Sequence, residues 1–378
     1  MSSYIHRIVS SQIEEAHKYY PVIVITGPRQ SGKSTLSRHL FPDYNYVNLE
    51  HIATRTAALS DPVRFIDSLG DHVIIDEAQH APEIMSMIQV RVDENKKLRF
   101  ILTGSSNFSL LKSITQSLAG RAALFTLLPF SFREMGQEML EQPIEKLMWD
   151  GQYPGVIVNK VPPQVFYRNY YTTYVERDLR DLLNLKNLLA FDKFIRLLAS
   201  RVGSEFNASA LAREVGVTSK TISEWQSLLT TSYITYPLQP YYNNMAKRLT
   251  KMSKIYFYDS GLLCYLLSIE TPEQLEKHPL KGAVFENMAM GELLKKRLNQ
   301  GKDPNLYFYR ENGGREVDAV SLTSEGKNLY EVKAGKVLRP DFMENMEYLK
   351  RTLPDINSIS VIFDGQSIPP VCINIREI

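Results

Sequence analysis

Residues with chemical potential appear first at Gly27-Pro28-Arg29-Gln30-Ser31-Gly32-Lys33-Ser34-Thr35, which follow the spacing Gly, four residues, Gly-Lys-Ser/Thr. Glycines at these places let backbone amides approach phosphate closely. The helix expected to start at Lys33 turns its positive dipole end toward the anion. All of these residues are expected to hold the phosphates of ATP, with Lys33 reaching the β and γ groups and Ser34 ligating magnesium. Further along, the apolar run His72-Val73-Ile74-Ile75 ends in Asp76-Glu77. A carboxylate at a strand tip beside such a loop orders the metal shell, and its neighbour activates the attacking water, so Asp76 and Glu77 take those roles. The alternative for either acid is an ordinary solvated loop carboxylate. Arg121, beside Gly120, is a candidate to stabilise charge on the transferred phosphoryl group, within its own subunit or a neighbour's, and Arg29 is a second. A surface ion pair is the competing reading for Arg121.

A separate set of acids lies near the end of the chain. Arg315 to Val320 and Asn328 to Lys333 read as strands, which brings Asp318, Glu331 and Lys333 onto adjacent strands of one sheet. Side chains alternate along a strand, so Glu331 and Lys333 share a face. There Asp318 and Glu331 are expected to hold a magnesium ion and Lys333 to activate water or steady a leaving phosphate, with Glu286 contributed by a helix. The competing reading is Lys333 paired with exposed acids on a solvated face.

These residues need elements to position them. Val22 to Thr26 is a β-branched run of the kind buried in parallel sheets, and Tyr46 to Glu50, His72 to Ile75 and Arg99 to Leu102 supply further strands. Helices are expected over 4–19, Lys33 to Leu40, Glu83 to Val92 and Ser109 to Ala119, which gives the alternation of a parallel sheet covered on both faces. One polar residue of Thr103 to Asn107 is expected to report the γ-phosphate. The stretch Gly151 to Gly155 with Pro162-Pro163 marks a boundary, after which long helices follow, including Phe166 to Leu183 and Leu188 to Val202. Asn207 to Trp225 has helix-turn-helix spacing, with Gly216 at the turn and Thr218 starting the second helix, and the strands after it suggest a winged helix. Ser219, Lys220, Thr221 and Ser223, with Lys247, Arg248, Lys251 and Lys254, either meet double-stranded DNA or form a solvated or docking face.

At 378 residues, with 44% hydrophobic and 23% charged residues and a net charge of +2, the chain can bury several cores and shows no charge bias that names a partner. Nothing approaches the roughly 18 to 20 apolar residues of a membrane span. Met1 to Arg7 has no apolar core after its first charge, so no secretory signal is expected and the setting is cytoplasmic. Cys264 and Cys372 read as free buried thiols.

The loop at 27–35, Ile-Ile-Asp-Glu-Ala-Gln, Leu-Thr-Gly-Ser-Ser, Leu-Ala-Gly-Arg and Pro-Phe-Ser-Phe together resemble the bacterial and archaeal AAA+-type P-loop ATPases that end in a poorly characterised region. Tyr174 to Leu179, the winged-helix segment, Tyr256 to Leu262 and the set Glu286, Asp318, Glu331 and Lys333 extend the likeness over nearly the whole chain. The resemblance implies an α/β chain in three parts. A P-loop parallel-sheet ATPase domain occupies 1–150, a helical and winged-helix domain 151–270, and an α/β domain like the restriction endonucleases 271–378. It further implies Mg2+-dependent ATP hydrolysis coupled to a DNA-binding or nuclease-like half, with homo-oligomers among the candidate assemblies. The other class of reading is a nucleotide-gated interaction module with a silent C-terminal scaffold. The motif departs from the nuclease pattern in that Val317, not proline, precedes Asp318.

Overall fold

Every position of β1 (Val22–Thr26) is buried, and its side chains alternate between two apolar layers. Val22 and Val24 pack with Ile84, Met85 and Ile88 of the helix Ile84–Glu94 on one face. Ile23 and Ile25 pack on the other with Val9, Ile13 and Leu36, from the helices Ser10–His17 and Lys33–Leu40. A strand covered on both faces has no polar side, which is why the run is continuously apolar. β2 (Asn45–Asn48), β3 (His72–Asp76), β4 (Arg99–Gly104) and β5 (Ala122–Thr126) join it in the order β2-β3-β4-β1-β5. All pairings are parallel, so the carboxyl ends of β1, β3 and β4 lie side by side. β5 carries no strong sequence signal, since Arg-Ala-Ala-Leu-Phe-Thr opens on alanines of low strand preference.

The computed structural model describes residues 4–105, 117–178, 187–242, 252–311 and 314–378. Ser106, Asn107, most of the helix expected from Ser109, the end of the one expected to reach Leu183, and Lys247, Arg248 and Lys251 lie outside them. Both cysteines are free and buried, and among the described residues no helix is long and apolar enough to cross a membrane.

After the parallel sheet the chain turns helical. Pro163–Tyr170 continues as a wider π-helix over Tyr171–Asp178, and Leu188–Ala199 precedes the pair Ala208–Val215 and Ser219–Thr231. Gly216 ends the first of the pair at φ 85°, left-handed backbone that glycine adopts without strain. The Thr218 hydroxyl caps the second by accepting from the Thr221 amide at 3.1 Å. Trp225 seals the pair against Phe191 and Phe194, with ring centroids 5.3 and 5.6 Å away.

The hairpin that follows, β6 (Thr235–Pro240) with β7 (Lys254–Phe257), does not stop at a domain edge. β6 pairs on its other side with β8 (Leu306–Arg310), and β9 (Glu316–Thr323), β10 (Gly326–Lys333), β11 (Ile356–Phe363) and β12 (Cys372–Asn374) continue the same seven-stranded sheet. The division expected at 270/271 therefore runs through one continuous sheet. Its cause is the unpaired backbone of β6, which β8 satisfies. The other edge of β7 is closed by the main chain of residues 203–206 and then by a side chain, because the Asn287 amide accepts from the Phe257 N–H at 2.7 Å and donates to the Phe257 carbonyl at 3.1 Å.

Asn287 belongs to the helix Lys281–Leu298, which carries buried polar residues among its apolar ones. Lys295 donates to Glu292 at 3.0 Å, to the Phe130 carbonyl at 3.0 Å and to Gln152, while Glu292 accepts from the Phe132 amide at 2.9 Å. Removing one member of such a pair strands a buried charge, which costs about 3–5 kcal/mol. Lys295→Met is thus expected to lower unfolding stability by about that much, read from the denaturant midpoint. Adding Glu292→Gln should recover part of the loss.

Candidate functional site

The phosphate loop leaves the carboxyl end of β1 under tight steric rule. A Cβ on Gly27, at φ 147°, would sit 2.1 Å from the Leu127 carbonyl oxygen, so no other residue fits without moving backbone. Gln30 at φ 61° and Gly32 at φ 95° turn the chain so that Gly32 caps the helix Lys33–Leu40. The Lys33 ammonium, only 5% exposed, donates to the loop's own Gly27 and Pro28 carbonyls at 3.1 and 2.8 Å. Burial pulls this ammonium down to about 8, against the attraction of Glu77 and Asp76. Those two acids are thus close enough to act on the Lys33 charge.

Asp76 ends β3 and is buried. Tyr46 from β2 donates to its Oδ2 at 2.6 Å, while its Oδ1 takes the Thr103 hydroxyl at the tip of β4 and the Glu77 amide. A carboxylate with donors on both oxygens is fixed in direction. Glu77 follows in left-handed backbone, φ 54°, and its Oε2 accepts from Gln79 and from the Ser105 hydroxyl at 3.3 Å. A non-glycine residue held there carries strain of order 1 kcal/mol, a feature that clusters at active sites. Of the described polar residues in 103–107, Thr103 within β4 and Ser105 just after it each meet one of the acids.

A residue without any motif supports this loop. Arg7, buried, donates to the Ser31 carbonyl at 3.0 Å, to the Leu128 carbonyl at 2.6 Å and to Glu134 at 3.0 Å. The segment around Arg7 reads only as part of an amphipathic stretch, so nothing in its spacing marks the role. From the helical middle, Tyr233 donates to Thr26, the residue before Gly27, at 2.8 Å, and the Arg29 guanidinium lies 5.2 Å from the Tyr174 ring. Arg29 is thereby turned toward the middle of the chain.

Arg121 requires a correction. It precedes β5, and its carbonyl accepts from the Val22 amide at the start of β1. That is the amino end of a parallel sheet, opposite the loop that follows Thr26, so Arg121 does not reach phosphate within its own subunit. It instead makes a two-pronged pair with Asp93, at 2.8 and 2.7 Å.

The C-terminal residues do come together. β10 lies antiparallel to β9 with Tyr330 opposite Ala319, and the next step of the ladder bonds the Val332 amide to Asp318 Oδ2 at 2.8 Å. Lys333 donates to Glu331 at 2.6 Å, while Glu331 Oε2 is buried with no partner. Burial and the Asp318 charge push Glu286 and Glu331 up to about 7, and burial raises Asp318 as well. Sequence reasoning missed two other members. Lys254 from β7 reaches Glu316 and lies 3.6 Å from Glu286, and Tyr256 donates to Glu286 at 2.5 Å. Among the described residues, no three His, Cys, Asp or Glu side chains converge as a ready metal site.

With this geometry in place, comparison with known proteins is decisive at the level of family. An AAA domain model matches residues 19–136, and two models described as domains of unknown function, DUF8612 and DUF4143, match 141–273 and 281–376. Uncharacterized proteins of Mycobacterium tuberculosis and Mycobacterium bovis are each 30% identical over 370 residues, spanning 95% of this chain and 80% of theirs. The chain belongs to their family. An uncharacterized Methanocaldococcus jannaschii protein is 22% identical over 364 residues, 86% of this chain and 77% of its own. Among solved structures, a Walker-type ATPase of Pyrococcus abyssi aligns at 15% identity and TM-score 0.47, covering 68% of this chain and 94% of its own. This member of the family is an AAA-type P-loop ATPase.

Because the Gly27 contact is with backbone, Gly27→Ala is expected to destabilise the chain by about 1–3 kcal/mol. It should also erase the rise in melting temperature expected of the wild type with ATP, both read by thermal unfolding.

Proposed function

We propose that the chain hydrolyses magnesium ATP on residues 27–35 and couples the nucleotide state to a DNA-binding or nuclease-like C-terminal half. Lys33 leaves its own loop carbonyls for the β and γ phosphates, and Ser34 and Asp76 are the residues that would hold magnesium, Ser34 as a ligand and Asp76 through the ion's water shell. Bound magnesium would neutralise charge on the phosphates. Glu77 takes a proton from water as its oxygen bonds to the γ-phosphorus and the bond to the ADP oxygen breaks. In the C-terminal half, the unpartnered Glu331 Oε2 beside Asp318 suits a hard cation, with Lys333 at hand for a phosphodiester. The helix-turn-helix with its β6–β7 hairpin acts as a winged helix toward double-stranded DNA.

One observation carries the coupling: the helix Lys281–Leu298 bears Glu286 in its first half, and its other end is tied to the nucleotide loop. The Asn299 amide, just past that end, donates to Ser131 at 3.3 Å, Ser131 donates to Glu134, and Glu134 accepts from Arg7, which holds Ser31. A second reading, a silent scaffold for a protein partner, draws on the lack of three converging acids among the described residues.

Lys33→Ala is expected to abolish ATP binding, and Glu77→Gln to bind ATP while scarcely cleaving it, measured by equilibrium binding and phosphate release. Undiminished turnover in the Glu77 variant would remove that residue from the role. Purified protein should cut supercoiled or linear DNA with magnesium or manganese, and Asp318→Ala should lose the cutting. Intact ATP turnover, no cutting and no salt-dependent DNA affinity would favour the scaffold.

A further inference from the structure

Lys254 and Tyr256 stand two residues apart on β7 and so point the same way. Both address a single atom, Glu286 Oε1: the Tyr256 hydroxyl donates to it at 2.5 Å and the Lys254 ammonium lies 3.6 Å away. Gly203, at φ 75°, makes room for this carboxylate, since a Cβ there would come within 3.3 Å of the same oxygen. Lys254 also reaches Glu316, lies 5.3 Å from the Phe308 ring centroid, and is 5% exposed. A lysine enclosed to that degree persists only because acids surround it. Glu331 offers the contrast, with one oxygen on Lys333 and the other buried and unpartnered, facing no donor.

We infer that Lys254 and Tyr256 are positioning residues that clamp Glu286 away from the cation position at Asp318 and Glu331, so that release of the clamp adds a third carboxylate to a divalent-cation site. The inference rests on the cation reading proposed for Asp318 and Glu331. The third acid is held on β7 by both residues. The clamp comes from β7 of the seven-stranded sheet and the clamped acid from the helix Lys281–Leu298. With β7 and that helix locked together by Asn287, rotation of the Glu286 side chain out of the Lys254 and Tyr256 contacts sets how many carboxylates a cation meets. A hard divalent ion gains from each added carboxylate oxygen, and it no longer competes with an ammonium for Glu286.

The test is Mn2+ binding to the full-length chain without nucleotide, by calorimetry and by the electron paramagnetic resonance of free Mn2+, with Asp318→Ala as the baseline. Lys254→Met is expected to bind Mn2+ about tenfold more tightly than wild type, the scale of about 1.4 kcal/mol of altered charge interaction. Tyr256→Phe, which removes one hydroxyl and keeps the lysine, should shift affinity in the same direction by a smaller factor and guards against a folding defect in the first variant. Glu286→Gln added to either should return affinity to the wild-type value, an outcome that a purely structural role for Lys254 does not produce. Unchanged or weaker binding in both clamp variants, or a gain that survives Glu286→Gln, would overturn the inference while the cation reading stood. Binding no stronger than the Asp318→Ala baseline in every variant would overturn the cation reading and the clamp with it.

Discussion

Arg7 and Glu134 carry opposite charges into an interior that neither tolerates alone, and their 3.0 Å pair holds because the rest of each group is also used. Arg7 gives its other nitrogens to the Ser31 and Leu128 carbonyls, and Phe130 covers its face. Glu134 takes the Ile8 amide on one oxygen and both the amide and hydroxyl of Ser131 on the other. The nucleotide loop, the start of the chain and the segment after β5 are thereby one hydrogen-bonded unit. Loss of either charge would leave the other stranded, so the loop's shape and the position of residues 128–134 are not independent quantities.

That segment passes the constraint on. Ser131 meets Asn299, Phe132 meets Glu292 and the Phe130 carbonyl meets Lys295, so three successive positions are read by one helix. An α-helix of 18 residues is a rod of about 27 Å that changes length little. Its far half carries Asn287 on the edge of β7 and Glu286 among the C-terminal acids. Displacement at the loop thus has a stiff mechanical route to the acids, and the route is polar, which demands fixed partners where an apolar contact would tolerate sliding.

What could be read in the sequence was local. Gly-x-x-x-x-Gly-Lys-Ser works through spacing within one loop, and Thr218 and Gly216 cap their helices through bonds three or four residues away, so both were legible. Glu331 and Lys333 could be paired because strand alternation is itself local. Arg7, Lys254 and Tyr256 could not, since their partners lie 127, 32 and 30 residues away and no pattern encodes that distance. The two readings of Arg121, phosphate contact or surface ion pair, could not be separated for a related reason. Without β5 recognised, it stood in a loop of unknown end, whereas a parallel strand beginning at Ala122 puts it opposite the phosphates. The fusion of the hairpin with the terminal sheet rests on two residue pairs, Gln239 with Tyr307 and Pro240 with Phe308, which is also beyond local pattern.

The two groups closest to the proposed chemistry share one trait: each is restrained by neighbours that the reaction must displace. Lys33 is bonded to the Gly27 and Pro28 carbonyls, so a phosphate has to outcompete two neutral acceptors that are already well placed. It does so readily, because a charged acceptor forms roughly twice as strong a bond as a neutral one. Glu77 is held by Gln79 and Ser105 in a backbone region that strains it, and Ser105 follows directly on β4, whose Thr103 holds Asp76. Both acids are therefore referred to the tip of one strand, and a shift there moves Asp76 and Glu77 together. Since β1 lies beside β4 and its last residue, Thr26, is bonded to Tyr233 of the helical middle, the same shift is felt outside the ATPase sheet. Two hydrogen-bonded routes thus leave the loop, Tyr233 on one side and Arg7 on the other, and the helical middle and the helix Lys281–Leu298 are the elements at their ends.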